Sequence, residues 1–151
     1  MLIGTHNCKT DTKGRVKLTA ALKRQLFSVL QDGFVLKQSV YQECLELHPM
    51  NKWKVLMEKI DNLNPFIKKN VDFIRVFTAG VREIQIDASG RFVIPKDLKN
   101  YAGIDREVVL SSNAGIIEIW DKERYDAIIS ADSVDFQALS EEVMGGGNAI
   151  N

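Results

Sequence analysis

The chain has 151 residues, of which 45% are hydrophobic and 26% charged, and its 20 basic and 20 acidic side chains give a formal net charge of zero. That composition suits one compact domain or two small intertwined halves. It excludes a disordered polyelectrolyte and argues against a nonspecific coat for nucleic acid, and the lack of any run of about 18 apolar residues excludes a membrane-spanning helix.

Met1 to His6 has no charged start followed by an apolar stretch, so no signal peptide is expected and the cytoplasm is the expected location. Val16 to Leu18 reads as a short strand. Thr19 is placed to cap a helix from Ala20 to Leu30, with Leu22, Leu26, Val29 and Leu30 on one face. Asp32-Gly33 closes that segment. Phe34 to Leu36 and Cys44 to Leu47 read as strands joined by the polar stretch Gln38 to Glu43. Trp53, Leu56, Met57 and Ile60 share a helical face. Asn64-Pro65 breaks the pattern, and Ile67, Val71, Ile74 and Phe77 mark a second helix. These stripes are read as packing surfaces.

Val81 to Ile86 alternates as a strand should. Arg91 to Ile94 is a further strand, Pro95 opens a short helix holding Leu98, Tyr101 and Ala102, and Gly103 ends it. Glu107 to Leu110 and Ile116 to Trp120 form a hairpin through Asn113-Ala114-Gly115. A terminal helix follows Tyr125, and Met144 to Asn148 reads as a flexible tail. The domain plan is a first half (1–52), connecting helices (53–78), a second half (79–124) and a terminal helix with its tail (125–151).

One phrase occurs twice. Asp11-Thr12-Lys13-Gly14-Arg15-Val16 returns as Asp87-Ala88-Ser89-Gly90-Arg91-Phe92, each followed by a strand and a helix. Asp and Gly are turn chemistry: the carboxylate bonds a backbone N–H two residues on, and Gly takes the positive φ that closes the turn. A turn does not need the Arg at its exit. Arg is suited to two-pronged recognition of phosphate or of a guanine edge, and the Asp four residues earlier can hold its guanidinium in one direction. Residues 1–25 also hold Lys9, Lys13, Arg15, Lys17, Lys23 and Arg24 against Asp11 alone, whereas 132–142 hold Asp132, Asp135, Glu141 and Glu142 with no base. Arg15 therefore sits in a basic stretch and Arg91 does not, which makes Arg15 the first candidate for such a contact.

Other chemistry finds little support. Cys8 and Cys44 form no metal-binding spacing with His6 or His48, so no metal and no cofactor are expected. Gly145-Gly146-Gly147 lacks the Lys-Ser/Thr of a phosphate loop, Trp120-Asp121 has no propeller period, and no nucleophile motif occurs. Glu46 and Glu118 hold equivalent strand positions and are read as solvent-facing, so neither catalysis nor a small-molecule substrate is expected.

The doubled Asp-x-x-Gly-Arg turn, with Gly4-Thr5-His6 before it, Leu45-Glu46-Leu47 and Trp53 after the first copy and Glu118-Ile119-Trp120-Asp121 after the second, resembles the MraZ family of bacterial transcriptional regulators over residues 1–130. The resemblance implies an α+β fold: a pseudo-twofold AbrB-like swapped-hairpin β-barrel from two repeated halves. It implies a cytoplasmic, nucleoid-associated regulator that binds double-stranded DNA, reads short G-rich direct repeats before the division and cell-wall operon, and assembles as a ring-shaped homo-oligomer. Arg15 and Arg91 would be the DNA contacts, with Lys13 on phosphate and Asp11, Gly14, Asp87 and Gly90 supporting the turns. Thr19 departs from the family's usual Pro, which Pro95 keeps. AbrB-like barrels also serve as protein-interaction modules in antidotes to toxins, and this is the alternative reading.

Overall fold

The computed structural model describes residues 1–130 and 135–145. Asp132 and the stretch Gly146 to Asn148 of the expected tail lie outside the described residues. The chain divides into two units, Met1–Asp121 and Lys122–Asn151.

In the first unit the elements follow the repeat. The first half contains β1 (Thr5–Lys9), β2 (Arg15–Lys17), α1 (Ala20–Leu26), a 3₁₀ turn (Phe27–Asp32), β3 (Phe34–Gln38) and β4 (Leu45–Pro49). Two helices follow, α2 (Met50–Asp61) and α3 (Lys68–Thr78). The second half contains β5 (Arg82–Ile84), β6 (Arg91–Val93), α4 (Lys96–Ala102), β7 (Glu107–Asn113) and β8 (Ile116–Asp121). The second unit contributes α5 (Lys122–Ile129) and α6 (Phe136–Gly145). No described helix is long and apolar enough to cross a membrane.

The architecture is mixed α+β, with antiparallel pairing throughout. A six-stranded sheet runs β1-β7-β8-β4-β3-β5, and a separate two-stranded ribbon pairs β2 with β6. The order is unchanged when the halves are exchanged, because β1, β3 and β4 then become β5, β7 and β8 and the list reads backwards. Each half gives its first strand to the other: β1 pairs with β7, and β5 with β3. The exchange centres on two like pairings, β4 with β8, where Glu46 faces Glu118, and β2 with β6, where Val16 faces Phe92.

One core serves both halves. Val16, Leu22, Leu36, Leu45 and Leu47 of the first half meet Phe92, Leu98, Leu110, Ile117 and Ile119 of the second, all at most 2% exposed. Neither half can bury its apolar residues alone, so burial, the main favourable contribution to folding, requires the two to interlock. Thr10 adds a polar tie between them: its N–H donates to the Arg106 carbonyl at 2.8 Å and its hydroxyl to that of Asp105 at 2.7 Å.

Two local features differ from expectation. The helix expected from Ala20 to Leu30 is α-helical only to Leu26 and continues as the 3₁₀ turn. That turn rises about 2.0 Å per residue instead of 1.5 Å. Val29 and Leu30 remain packed on the core, while Phe27 is left 77% exposed. In the second unit, the expected flexible tail begins inside a helix, since Met144 and Gly145 are the last residues of α6.

Candidate nucleic-acid interface

The repeated phrase builds the same turn twice. In the first, Asp11 Oδ1 accepts the backbone N–H groups of Lys13 and Arg15, each at 2.9 Å. In the second, Asp87 Oδ1 accepts those of Ser89 and Arg91, again at 2.9 Å. Gly14 and Gly90 donate to the Asp11 and Asp87 carbonyls at 3.0 and 2.9 Å, with φ of 76° and 85°, which side-chain-bearing residues rarely adopt. The turns are also tied to each other: the Ile94 N–H donates to the Gly14 carbonyl at 3.0 Å, and the Leu18 N–H to that of Gly90 at 2.8 Å.

The two arginines are held differently. Arg15 Nε donates to Asp11 Oδ2 at 2.7 Å, fixing a guanidinium whose side chain is 44% exposed. The Arg15 backbone N–H, and then its side chain, pull the Asp11 carboxyl down to about 2. Ser89 stands in the second turn where Lys13 stands in the first. Its hydroxyl donates to Asp87 Oδ1 at 2.7 Å and accepts from Arg91 Nη1 at 3.2 Å. The Asp87 carboxyl is also lowered, first by Ser89 and then by the Arg91 backbone.

Pairing of β2 with β6 puts both arginines on one surface. Val16 and Phe92 point into the core, leaving Arg15, Lys17, Arg91 and Val93 on the exposed face. The register sets Arg15 opposite Val93 and Lys17 opposite Arg91. Lys13 is also exposed at the first turn. The sequence contrast between a basic Arg15 environment and a sparse Arg91 one therefore does not survive folding. Lys17 lies across from Arg91, and Lys23 of α1 donates through Nζ to the Ala88 carbonyl of the second turn at 2.7 Å. Lys17 and Lys23 are the residues the sequence reading left out of the site. The signal for Lys17 lies in the repeat: pairing the two copies' strands antiparallel about Val16 and Phe92 puts it beside Arg91.

A second polar cluster lies where β4 meets β8. Lys37 of β3 is 3% exposed, with Nζ 3.5 Å from Glu46 Oε1, 2.5 Å from the Gln38 carbonyl and 4.5 Å from the centre of the Phe77 ring. His48 Nε2 donates to Glu46 Oε1 at 3.0 Å, and the Trp53 ring packs between His48 and Phe77. Burial pushes the Glu46 carboxyl up, but His48 and Lys37 outweigh it and hold it below its ordinary value. Glu118 accepts from Trp120 Nε1 at 3.1 Å. The expectation that both glutamates face solvent is corrected: each is only partly exposed, because the exchange of halves puts the two strands side by side in mid-sheet. The Lys37–Glu46 pair joins β3 to β4, whereas the His48–Glu46 and Trp120–Glu118 bonds each lie within one strand. Cys44, buried nearby, has its thiol pushed up to about 12 by burial and by Glu118, so it stays protonated. Among the described residues no group of three or more His, Cys, Asp and Glu side chains is placed to hold a metal ion.

A shared-core α+β fold whose two halves each present an arginine turn on one ribbon defines a class of duplicated, two-turn proteins. The family model "MraZ protein, putative antitoxin-like" matches residues 1–75 and again 77–145, and the chain belongs to the MraZ family. A protein of Christiangramia forsetii called "Transcriptional regulator MraZ" is 56% identical over 95% of this chain and 93% of its own length. One of the same name from Flavobacterium psychrophilum is 56% identical over 97% and 94%. A more distant one from Clostridium tetani is 32% identical over 95% and 96%.

Proposed function

We propose that the chain is a DNA-binding transcriptional regulator that uses the β2–β6 ribbon as its reading surface. The observation that carries this reading is the face of that ribbon, where Arg15, Lys17 and Arg91 stand exposed above a buried Val16–Phe92 pair. A two-stranded ribbon is of a size that enters the major groove, and an arginine there can donate two bonds to guanine O6 and N7. Arg15, oriented by Asp11, is the first base reader and Arg91 the second. Lys13 holds phosphate and sets the register. The name "Transcriptional regulator MraZ" borne by the relatives supports the same role.

The finer reading is a swapped-hairpin barrel whose subunits form a ring in the cytoplasm, associated with the nucleoid. The ring reads short G-rich direct repeats ahead of the division and cell-wall operon that includes its own gene. The exchange of first strands between halves supports the swapped topology. A ring suits direct repeats because weak contacts made by identical subunits combine through effective concentration. It also reconciles a neutral chain with a polyanion, since each copy repeats the same local basic face.

A gel-shift titration with DNA from upstream of its own gene, across a salt series, tests the proposal. Specific binding that weakens steeply with salt is expected, and Arg15→Ala should cost about 1–3 kcal/mol of discrimination. Parent and Arg15→Ala binding with equal affinity would refute the assignment. The words "antitoxin-like" in the family description favour a second reading, a module that sequesters a protein partner. It predicts no salt-dependent affinity for DNA.

A further inference from the structure

The ribbon repeats its arginines but not the residues that face them. Exchange of the halves turns Arg15 into Arg91 and Val16 into Phe92, but it turns Lys17 into Val93. Register makes this a difference between the two ends of one surface. At one end Arg15, held by Asp11, stands opposite Val93. At the other, Arg91 stands opposite Lys17, and the ammonium of Lys23 is fixed on the adjoining turn at Ala88. Val93 is 50% exposed and Lys17 is exposed as well, so both are open to whatever covers the ribbon.

We propose that Lys17 and Val93 give the ribbon a direction on DNA. This rests on the reading surface proposed above and adds which residues decide the orientation of the bound site. Two arginines offer the same donors at both ends and so distinguish a site from its reverse complement only by how each is held. Lys17 brings three N–H donors and no acceptor, which suits the O6 and N7 acceptors of guanine beside the Arg91 contact. Val93 brings no donor and offers only apolar contact, which suits a thymine methyl beside the Arg15 contact. The two ends therefore prefer different base pairs, and the protein lies on its site one way round.

Selection of bound duplexes from a library with a randomised centre tests this, using the full chain as parent, Lys17→Val and Val93→Lys. Both positions are exposed, and matching melting curves would establish that the variants fold. The parent should enrich an unequal motif, with guanine favoured about tenfold at the position beside the Arg91 contact. Lys17→Val should reduce that preference to within about twofold while the arginine-read positions persist, and Val93→Lys should bring the enriched motif closer to its own reverse complement by adding a guanine preference beside the Arg15 contact. A parent motif already equal to its reverse complement would overturn the proposal. So would variants that keep the parent's unequal motif, or a Lys17→Val that weakens all sequences uniformly, which marks a phosphate contact. Each of these outcomes leaves the DNA-binding reading intact. A parent that enriches no motif overturns both.

Discussion

The buried Lys37–Glu46 pair makes a quantitative prediction, because its two members differ in burial. Lys37 is 3% exposed and the Glu46 side chain 17%. Removing one member of a buried pair costs about 3–5 kcal/mol when the other is left charged and dry. Glu46→Gln creates that situation for Lys37, which keeps the Gln38 carbonyl and the Phe77 ring but no counter-charge. About 3 kcal/mol is expected. Lys37→Met leaves Glu46 with some solvent and with His48 at 3.0 Å, so a smaller cost of about 1–2 kcal/mol is expected. The double variant leaves neither charge stranded and should be more stable than Glu46→Gln alone. Urea unfolding of the full chain measures all three, with the m-value unchanged if the unfolding remains comparable. The sign of the pH effect follows from the lowered Glu46 carboxyl. Its contribution is fully present above the ordinary value of 4.5 and is lost as pH falls through the lower folded value. Glu46→Gln should remove that part of the acid limb. A Lys37→Met cost equal to that of Glu46→Gln would refute the argument from unequal burial, and costs that simply add in the double variant would refute the coupling of the two charges.

Three further outcomes are expected. Asp11 should titrate at about 2 by carboxyl-carbon NMR and move only part of the way back to 3.8 in Arg15→Ala, since the larger cause, the backbone N–H of residue 15, remains; no movement would remove the side-chain clamp from the account. Gly90→Ala should cost about 1–2 kcal/mol in thermal unfolding, because φ is +85° and the new Cβ would lie 3.5 Å from Lys23 Cδ and 3.6 Å from Leu18 Cβ, ordinary contacts that leave backbone strain as the penalty. Thr19→Ala should cost about 1 kcal/mol in the same assay through loss of the bond from the Leu22 N–H, and an unchanged midpoint would show that the cap contributes nothing.

Local features were legible in the sequence to the extent that they follow from local chemistry. The Asp-x-x-Gly turns, the Thr19 and Pro95 helix starts and the strand pairs β3–β4 and β7–β8 all depend on near neighbours, and period and turn residues encode those directly. The passing of β1 to β7 and of β5 to β3 depends on which surfaces bury most area, which no local period records. Lys37 shows the consequence. It follows the apolar run Phe34-Val35-Leu36 and looks like the polar end of a strand, yet it is buried because α3 brings Phe77 over it. The partnership of Lys17 with Arg91 was hidden in the same way: the residues are 74 apart in the chain and meet only because the halves exchange. The arginine site was legible as two turns, but its surface was not.

Thr19 and Pro95 show how the two copies reach one backbone by different chemistry. Their φ and ψ are −64° and 157° against −55° and 146°. Proline sets this φ by its ring, and the N–H it lacks has no helical partner in any case. Threonine has no such constraint and is held by bonds instead. Its hydroxyl accepts from the Leu22 N–H at 3.2 Å and lies 3.0 Å from His6 Nδ1, while His6 Nε2 lies 3.1 Å from the Ile3 carbonyl. A carbonyl can only accept, so Nε2 donates to Ile3, while Nδ1 faces the Thr19 hydroxyl. The departure from proline thus links the start of α1 to β1 through His6. The same helix carries Lys23, whose Nζ donates to the Ala88 carbonyl, so α1 of one half is also tied to the arginine turn of the other.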